Sequence, residues 1–207
     1  LGRDTIPPRN ELMKKNITGK VVMVTGAGGS IGGELTQQIL KYYPKKLILL
    51  DNSEHSLYQI HSKITRNSNF QTDIIPKLCS VQNTNEVENI FKTHEIHTVY
   101  HAAAFKHVPL VEINIIEGLK NNVFGTLNLA KSAIKFKVNN FILISTDKAV
   151  RPTSIMGASK RLAELICQGL AKHNHTIFSM VRFGNVLGSS GSVIPQFEAQ
   201  IISGGPV

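Results

Sequence analysis

The sequence has no tryptophan, only two cysteines among 207 residues, and no long apolar run. Each scarcity closes a class. Cys79 and Cys167 stand far apart and without metal-ligand spacing, which excludes a disulfide-stapled scaffold and a thiolate metal centre. They read as reduced core residues of a cytosolic protein, Cys79 in a strand and Cys167 in a helix. No stretch reaches the roughly 20 apolar residues of a membrane-crossing helix, and none reads as a signal peptide. Aromatic residues make up 6%, and 23 lysines and arginines face 14 acidic residues, for a net charge of +9. That balance suits anionic ligands, but the lysines are scattered and no basic stretch carries interleaved aromatics, so no nucleic-acid partner is expected. His94 with His97 and His173 with His175 fall at expected helix ends, where solvated or capping roles are commoner than metal binding.

What is present is an alternation of short apolar runs with helical patterns. The runs begin at Lys20, Lys46, Asp73, Thr98, Phe141 and Thr176, and helical periodicity separates them. Strands alternating with helices imply an α/β fold with a Rossmann-like, doubly wound parallel sheet, strand order 3-2-1-4-5-6, room for a further edge strand, and helices on both faces. The length suits one domain over residues 20–207, preceded by a polar, proline-bearing arm over 1–19. Because the chain opens at Leu1 and closes on SerGlyGlyProVal, it is expected to be a piece of a longer protein.

The first run leads into Gly26, Gly28, Gly29, Ser30, Ile31 and Gly32, then an amphipathic stretch from Ile31 to about Tyr42 with Leu35, Ile39 and Leu40 on one face. Strand, glycine turn and helix form the context of a dinucleotide fingerprint. Gly26 permits the tight turn, Gly29 lets backbone approach a pyrophosphate, and Gly32 lets the helix pack close to the strand. The helix N-terminus then presents free N–H groups to phosphate. The second run ends in Asp51, about 20 residues beyond the last glycine, where a carboxylate accepts ribose hydroxyls and repels a 2'-phosphate. That favours NAD over NADP, with Asn52 beside it; the alternative is that Asp51 merely caps the next helix.

After the Phe141 run come Thr146, Asp147 and Lys148, at the carboxyl end of a strand, where ligands of open α/β sheets bind. Alone, an AspLys pair is a surface ion pair worth little. Met156 and Lys160, four apart, share a helix face. Met156 by itself is core filler and Lys160 a solvated lysine.

The strings TGAGGSIG at 25–32, LLDNSEHSLYQI at 49–60, YHAAAFKHVPLVE at 100–112, NNVFGT at 121–126, STDKAVRPTSIMGASKRLAE at 145–164 and RFGNVLGSSGSVIPQF at 182–197 together resemble the extended short-chain dehydrogenase/reductase superfamily. Within it the chain is similar to the large, membrane-anchored bacterial nucleotide-sugar 4,6-dehydratases acting on UDP-N-acetylglucosamine in polysaccharide and capsule synthesis. The resemblance implies a parent at the cytoplasmic face of the inner membrane, a soluble portion here, and a homodimer or higher homo-oligomer packed through the segments at 120–137 and 155–172. It implies bound NAD that takes a hydride from C4 and returns it to C6, with water eliminated across C5 and C6. Lys148 is then the C5 base, Asp147 the acid at the C6 hydroxyl, and Thr146 the group holding the C4 hydroxyl. Lys160 reaches the nicotinamide ribose, and Met156 stands where relatives carry a tyrosine, which leaves Asp147, or Thr146 as a relay, to deprotonate C4.

Ala102, Ala103 and Ala104 line the adenosine half by the same resemblance, Lys106 and His107 lie on the sugar side, Asn122 lies near the site, and Asn185 contacts the UDP diphosphate. Plain turn or helix roles remain alternatives for these residues. One departure is Ser80, beside Val81, where relatives place an aspartate for the adenine amino group; a hydroxyl there loosens adenine by about 1 kcal/mol. Two other functions stay open: a UDP-sugar 4-epimerase and a non-catalytic NAD-binding module.

Overall fold

The computed structural model describes residues 7–66, 71–172, 174–186 and 193–206. Six parallel strands, β1 (Val21–Thr25), β2 (Lys46–Asp51), β3 (Asp73–Leu78), β4 (Thr98–His101), β5 (Asn140–Thr146) and β6 (Ile177–Phe183), form one sheet in the order β3-β2-β1-β4-β5-β6. This is the expected Rossmann-like order, and the described residues contribute no further edge strand.

The apolar runs are continuous because successive side chains enter opposite layers. Val22, Val24, Leu47 and Leu49 point to one face, against Ile17 of α1 (Asn10–Ile17), Ile39 and Leu40 of α2 (Ser30–Leu40), and Leu57, Ile60 and Ile64 of α3 (Glu54–Arg66). Met23, Ile48, Leu50, Val99, Phe141 and Leu143 point to the other. There they meet Val87, Ile90 and Phe91 of α4 (Thr84–His94), Leu129 and Ala133 of α7 (Gly125–Lys135), and Ala163 and Cys167 of α8 (Ile155–Ala171). Pro76 is tolerated inside β3 because that strand is an edge and needs no N–H there.

Three local features depart from the sequence reading. The expected arm is partly built into the fold: α1 buries Ile17, and Asn16 O accepts from Thr98 Oγ1–H at 3.0 Å. Cys79 lies just past β3, because the chain turns after its N–H bonds Asp51 O (2.9 Å) and Asn83 N–H bonds Ser80 O (3.0 Å). The helical segment around 120 is a succession: α5 (Val108–Ile113), α6 (Ile115–Leu119), a π-helical turn at Lys120–Phe124, then α7. A last helix, α9 (Val193–Ile202), follows β6. No helix of the described residues is long and apolar enough to cross a membrane.

His101 ends β4, fully buried, bonded by Thr25 Oγ1 at 2.7 Å and Thr126 Oγ1 at 2.9 Å. Burial, helped by the charge of Lys160, pushes its pKa down to about 3. The unfolded imidazole protonates near pH 6.5 while the folded one stays neutral, so its stabilisation is present above that pH and is lost as pH falls toward the folded value. Equilibrium urea unfolding should show a slope of about 1.4 kcal/mol per pH unit from this one proton below pH 6. In His101→Leu that component should vanish, and stability at pH 7 should drop by about 1–3 kcal/mol for the stranded threonine hydroxyls.

Candidate active site

The loops leaving the carboxyl ends of β1, β2, β4, β5 and β6 converge on one edge of the sheet, and three adjoining cavities open there. The glycine turn forms the first. Gly26 has φ +66°, and a Cβ on it would lie 2.7 Å from Ala103 N; a Cβ on Gly32 would lie 1.9 Å from Gly26 O. Gly28 abuts Ser56, where a Cβ would come within 2.5 Å of the serine Cβ, whereas a Cβ on Gly29 would meet, among the described residues beyond its own chain neighbours and helix backbone, just Gly26 O at 3.3 Å. The turn is thus closed on its packed sides and open at Gly29, where α2 begins with no side-chain cap. The N–H groups at Ser30 and Ile31 open the helix toward any anion seated there.

Asp51 is buried at the end of β2, and its two oxygens accept from Gly28 N–H (2.8 Å) and Ser53 N–H (2.9 Å). The carboxylate therefore shapes the glycine turn as well as facing the cavity, a double use that spacing alone could not reveal. With Asn52, Cys79, Val81, Ala102, Ala103 and Ala104 it lines a cavity of about 220 Å³. Ser80 does not line it, and its Oγ accepts from Gln82 N–H at 3.2 Å; Cys79 and Val81 make that wall.

A second cavity of about 280 Å³ gathers Ile31, Lys106, His107, Thr146, Lys148, Met156, Lys160 and Asn185. A third, about 450 Å³, shares Lys106 and His107 and extends to Asn114 and Glu117. Thr146 and Lys148 are joined through Asp147, which does not itself line the three cavities. Thr146 Oγ1–H donates to Asp147 Oδ1 (3.0 Å), Lys148 N–H donates to Thr146 Oγ1 (3.3 Å), and Lys148 Nζ reaches Asp147 Oδ1 (3.3 Å) and Asn185 Oδ1 (3.4 Å). The Thr146 hydrogen bond, then Lys148, hold the Asp147 carboxyl below the ordinary carboxylate range. Asp147 is ionised and solvent-facing, its side chain 58% exposed, the opposite of what a standing acid requires. Asn185, expected at a diphosphate, here touches Lys148.

Met156 is buried, and Lys160 is buried with its Nζ donating to Ile144 O at 2.7 Å. Burial pulls Lys160 down to about 8, against the opposing pull of Cys167 and Glu164. Asn122 is placed differently from expectation, since its amide is spent inside the protein. Oδ1 accepts from Phe105 N–H (2.8 Å), and Nδ2 donates to Phe105 O (2.9 Å) and Ser159 Oγ (3.0 Å). It holds the Phe105–His107 wall and does not line the three cavities. Sequence reasoning missed Ser145, Ser159, Glu164, Phe183 and Gly184. Of these only Gly184, in RFGN, carried a signal: a Cβ there would lie 3.2 Å from Asp147 Oδ2. No group of three or more metal-ligating side chains occurs among the described residues.

Comparison with known proteins agrees with this geometry. A family model described as "Polysaccharide biosynthesis protein" matches residues 22–207. The capsular polysaccharide biosynthesis protein CapD of Staphylococcus aureus is 48% identical over 208 residues, covering 100% of this chain and 35% of that protein. The UDP-N-acetylglucosamine 4,6-dehydratase (inverting) of Campylobacter jejuni is 33% identical over 90% of this chain and 55% of its own length. A UDP-glucose 4-epimerase of Rickettsia canadensis is 35% identical over 89% and 54%. The solved structure of Pen from Bacillus thuringiensis superposes with a TM-score of 0.83 at 34% identity, covering 91% of this chain and 59% of that one. The chain thus spans about a third to just over half of its curated relatives.

The glycine cradle gives a direct test of this edge of the sheet. Gly32→Ala should force Gly26 O and α2 apart, lowering the melting temperature and weakening dinucleotide binding at least about tenfold by calorimetry, a loss of roughly 1.4 kcal/mol. Unchanged binding would place the phosphates elsewhere. The match over residues 22–207, the six-stranded order and the glycine turn together place this chain in the polysaccharide biosynthesis protein family, within the short-chain dehydrogenase/reductase superfamily.

Proposed function

We propose that this chain is the cofactor-binding and catalytic portion of a nucleotide-sugar 4,6-dehydratase that acts on UDP-N-acetylglucosamine with NAD. The observation that carries the reading is the hydrogen-bonded Thr146–Asp147–Lys148 group at a cavity whose tyrosine position is the buried thioether of Met156. The cradle fits a dinucleotide: an open Gly29, an uncapped helix start, and a buried carboxylate at Asp51 that disfavours a 2'-phosphate. Gly26, Gly28, Gly29, Ser30, Ile31 and Gly32 would hold the pyrophosphate, Asp51 and Asn52 the ribose, and Val81 with Ala102–Ala104 the adenosine. NAD, when bound, supplies hydride acceptance from C4 and its return to C6.

The chain's own residues move the protons. Thr146 Oγ1 already points its proton at Asp147, so it can take the C4 hydroxyl proton while passing its own to the ionised carboxylate. Asp147, now carrying that proton, gives it to the C6 hydroxyl as the C6–O bond breaks and water leaves. Lys148, whose Nζ lies between Asp147 and Asn185, takes the C5 proton, made acidic by the C4 carbonyl, and later returns it to C5. Each group ends as it began. Lys106, His107 and Asn185 face the sugar nucleotide from the other walls of the cavity. Leu162, Leu165 and Phe124, exposed on α8 and the π-helical turn, supply the surface for a homodimer.

A 4-epimerase is the second reading, favoured by the identity to the Rickettsia enzyme. It needs neither a C5 base nor an acid at C6. Mass spectrometry of UDP-N-acetylglucosamine incubated with the full-length protein separates the two: loss of one water supports the dehydratase, and an unchanged mass with inverted C4 supports the epimerase. In deuterated water the dehydratase should place deuterium at C5. Lys148→Ala and Asp147→Asn should each cut turnover by about 10²–10⁴-fold with dinucleotide binding retained. Full turnover in both variants would overturn the residue roles.

A further inference from the structure

Behind the cavity wall lies a charged cluster that this proton path does not use. Glu164 is 0% exposed, yet its carboxylate accepts four hydrogen bonds. Oε1 accepts from Ser145 Oγ–H (2.6 Å) and Arg182 Nε–H (2.8 Å); Oε2 accepts from Arg182 Nη2 (2.5 Å) and Arg161 Nη1 (3.0 Å). Arg182 first, with Ser145 and Arg161, holds its carboxyl at about 2. A charge this buried is stable only when paired and hydrogen-bonded on every side.

The partners sit at telling places. Ser145 immediately precedes Thr146–Lys148, and Arg182 immediately precedes Phe183, Gly184 and Asn185 of the same cavity. Ser145 and Arg182 are also register partners across β5 and β6. Lys160, one helical turn before Glu164, bonds Ile144 O, so residues 160 and 164 of α8 grip consecutive residues of β5.

We infer that Glu164 is a positioning residue: it locks the ends of β5 and β6 to α8, and thereby fixes the placement of Thr146–Lys148 and the charge around Lys160. Its catalytic consequence rests on the proposed dehydratase reading; its structural content does not. An exposed ion pair would contribute little, but removing the anion here leaves two guanidinium groups and the Ser145 hydroxyl without their common acceptor. The titratable groups around Lys160 are Glu164 and Cys167 on α8, His101 on β4, Lys148 beyond β5 and, behind Glu164, Arg182 on β6. Lys106 and His107 share its cavity. Glu164 is the carboxylate among them, so neutralising it must lower the proton affinity of Lys160.

The test compares the 207-residue chain with Glu164→Gln and Ser145→Ala by NMR. Glu164→Gln should lower the Lys160 titration midpoint by about one pH unit, an effect a merely structural contact would not produce. Ser145→Ala keeps the carboxylate, so the midpoint should stay in place while the Lys148 and Val150 amides exchange about tenfold faster than in the parent, with Met23 in β1 unchanged. An unmoved midpoint in folded Glu164→Gln, or unchanged exchange at Lys148 and Val150 in Ser145→Ala, would overturn the assignment. Should Glu164→Gln fail to fold, exchange in Ser145→Ala decides. Turnover of UDP-N-acetylglucosamine by the unmutated full-length protein is scored separately; its absence would sink the dehydratase reading while titration and exchange still judge Glu164.

Discussion

A buried chain of hydrogen bonds through His101 ties the glycine turn to the Phe105–His107 wall of the neighbouring cavity, and its direction is set from its ends. Thr126 donates its hydroxyl proton to Asn122 O at 2.7 Å, so its oxygen is left to accept from Nε2–H of His101. Nδ1 must then accept from Thr25 Oγ1–H, whose oxygen in turn receives Ala103 N–H at 3.4 Å. Only the neutral Nε2–H tautomer satisfies every member. Ala103 is the backbone against which Gly26 is packed, and Asn122 is the residue whose amide clamps Phe105 on both sides. In a protonated His101 both ring nitrogens would donate, so the Thr25 hydroxyl proton would lose its acceptor, and the turn and the wall their common reference.

Much of this architecture was legible in the sequence because it rests on periodicity and turn chemistry. The double-sided apolar runs of β1 and β2, the glycine spacing and the carboxylate closing β2 are local patterns, and together they carry the expectation of a Rossmann-like sheet order. What stayed hidden depends on partners distant in sequence. Spacing puts Glu164 on the face of Lys160 but cannot show that Arg182 and Ser145 meet its carboxylate. Asn122 reads as a polar helix residue near a site; that it sits in a π-helical turn, its amide turned to Phe105 and Ser159, follows from packing. Asp51 reads as a ribose acceptor, and its grip on Gly28 N–H appears only in three dimensions. The polar, proline-bearing start gives no local sign that α1 docks on the sheet, because what holds it, buried Ile17 and the bond from Thr98 to Asn16 O, depends on partners distant in sequence.

On the proposed reaction, the ionised resting state of Asp147 becomes consistent once the order of proton transfers is considered. A single residue cannot be a ready acid and a ready base in the same resting state, and Asp147 rests ionised. On the proposed reaction that is the form required first, since C4 must lose a proton before C6 can gain one. On the same proposal the hydroxyl of Thr146, 3.0 Å from Asp147 Oδ1, supplies the link between C4 and that carboxylate. Substrate then changes the surroundings. Asp147 is open to water in the free chain, and a sugar nucleotide seated over Lys148 and Asn185 would exclude that water and raise the carboxyl's proton affinity. The shift acts in the direction the second step needs.

Met156 fits this sequence of events better as part of an apolar wall than as a vestige of a lost tyrosine. Its side chain is buried beside Lys160, which burial already holds at about 8. A phenol there would compete with Thr146 for the C4 hydroxyl and would bring a second titrating proton within reach of Lys160. A thioether does neither: it makes one side of the cavity apolar and, on the proposed reaction, leaves the hydroxyl–carboxylate pair as the route off C4. Gly184, which lines the same cavity, bears on the same point: a Cβ there would lie 3.2 Å from Asp147 Oδ2 and, on the proposed reaction, would narrow the space in which the carboxylate turns from Thr146 toward C6. On that proposal the placement of both residues serves one carboxylate that faces two atoms of the sugar in turn.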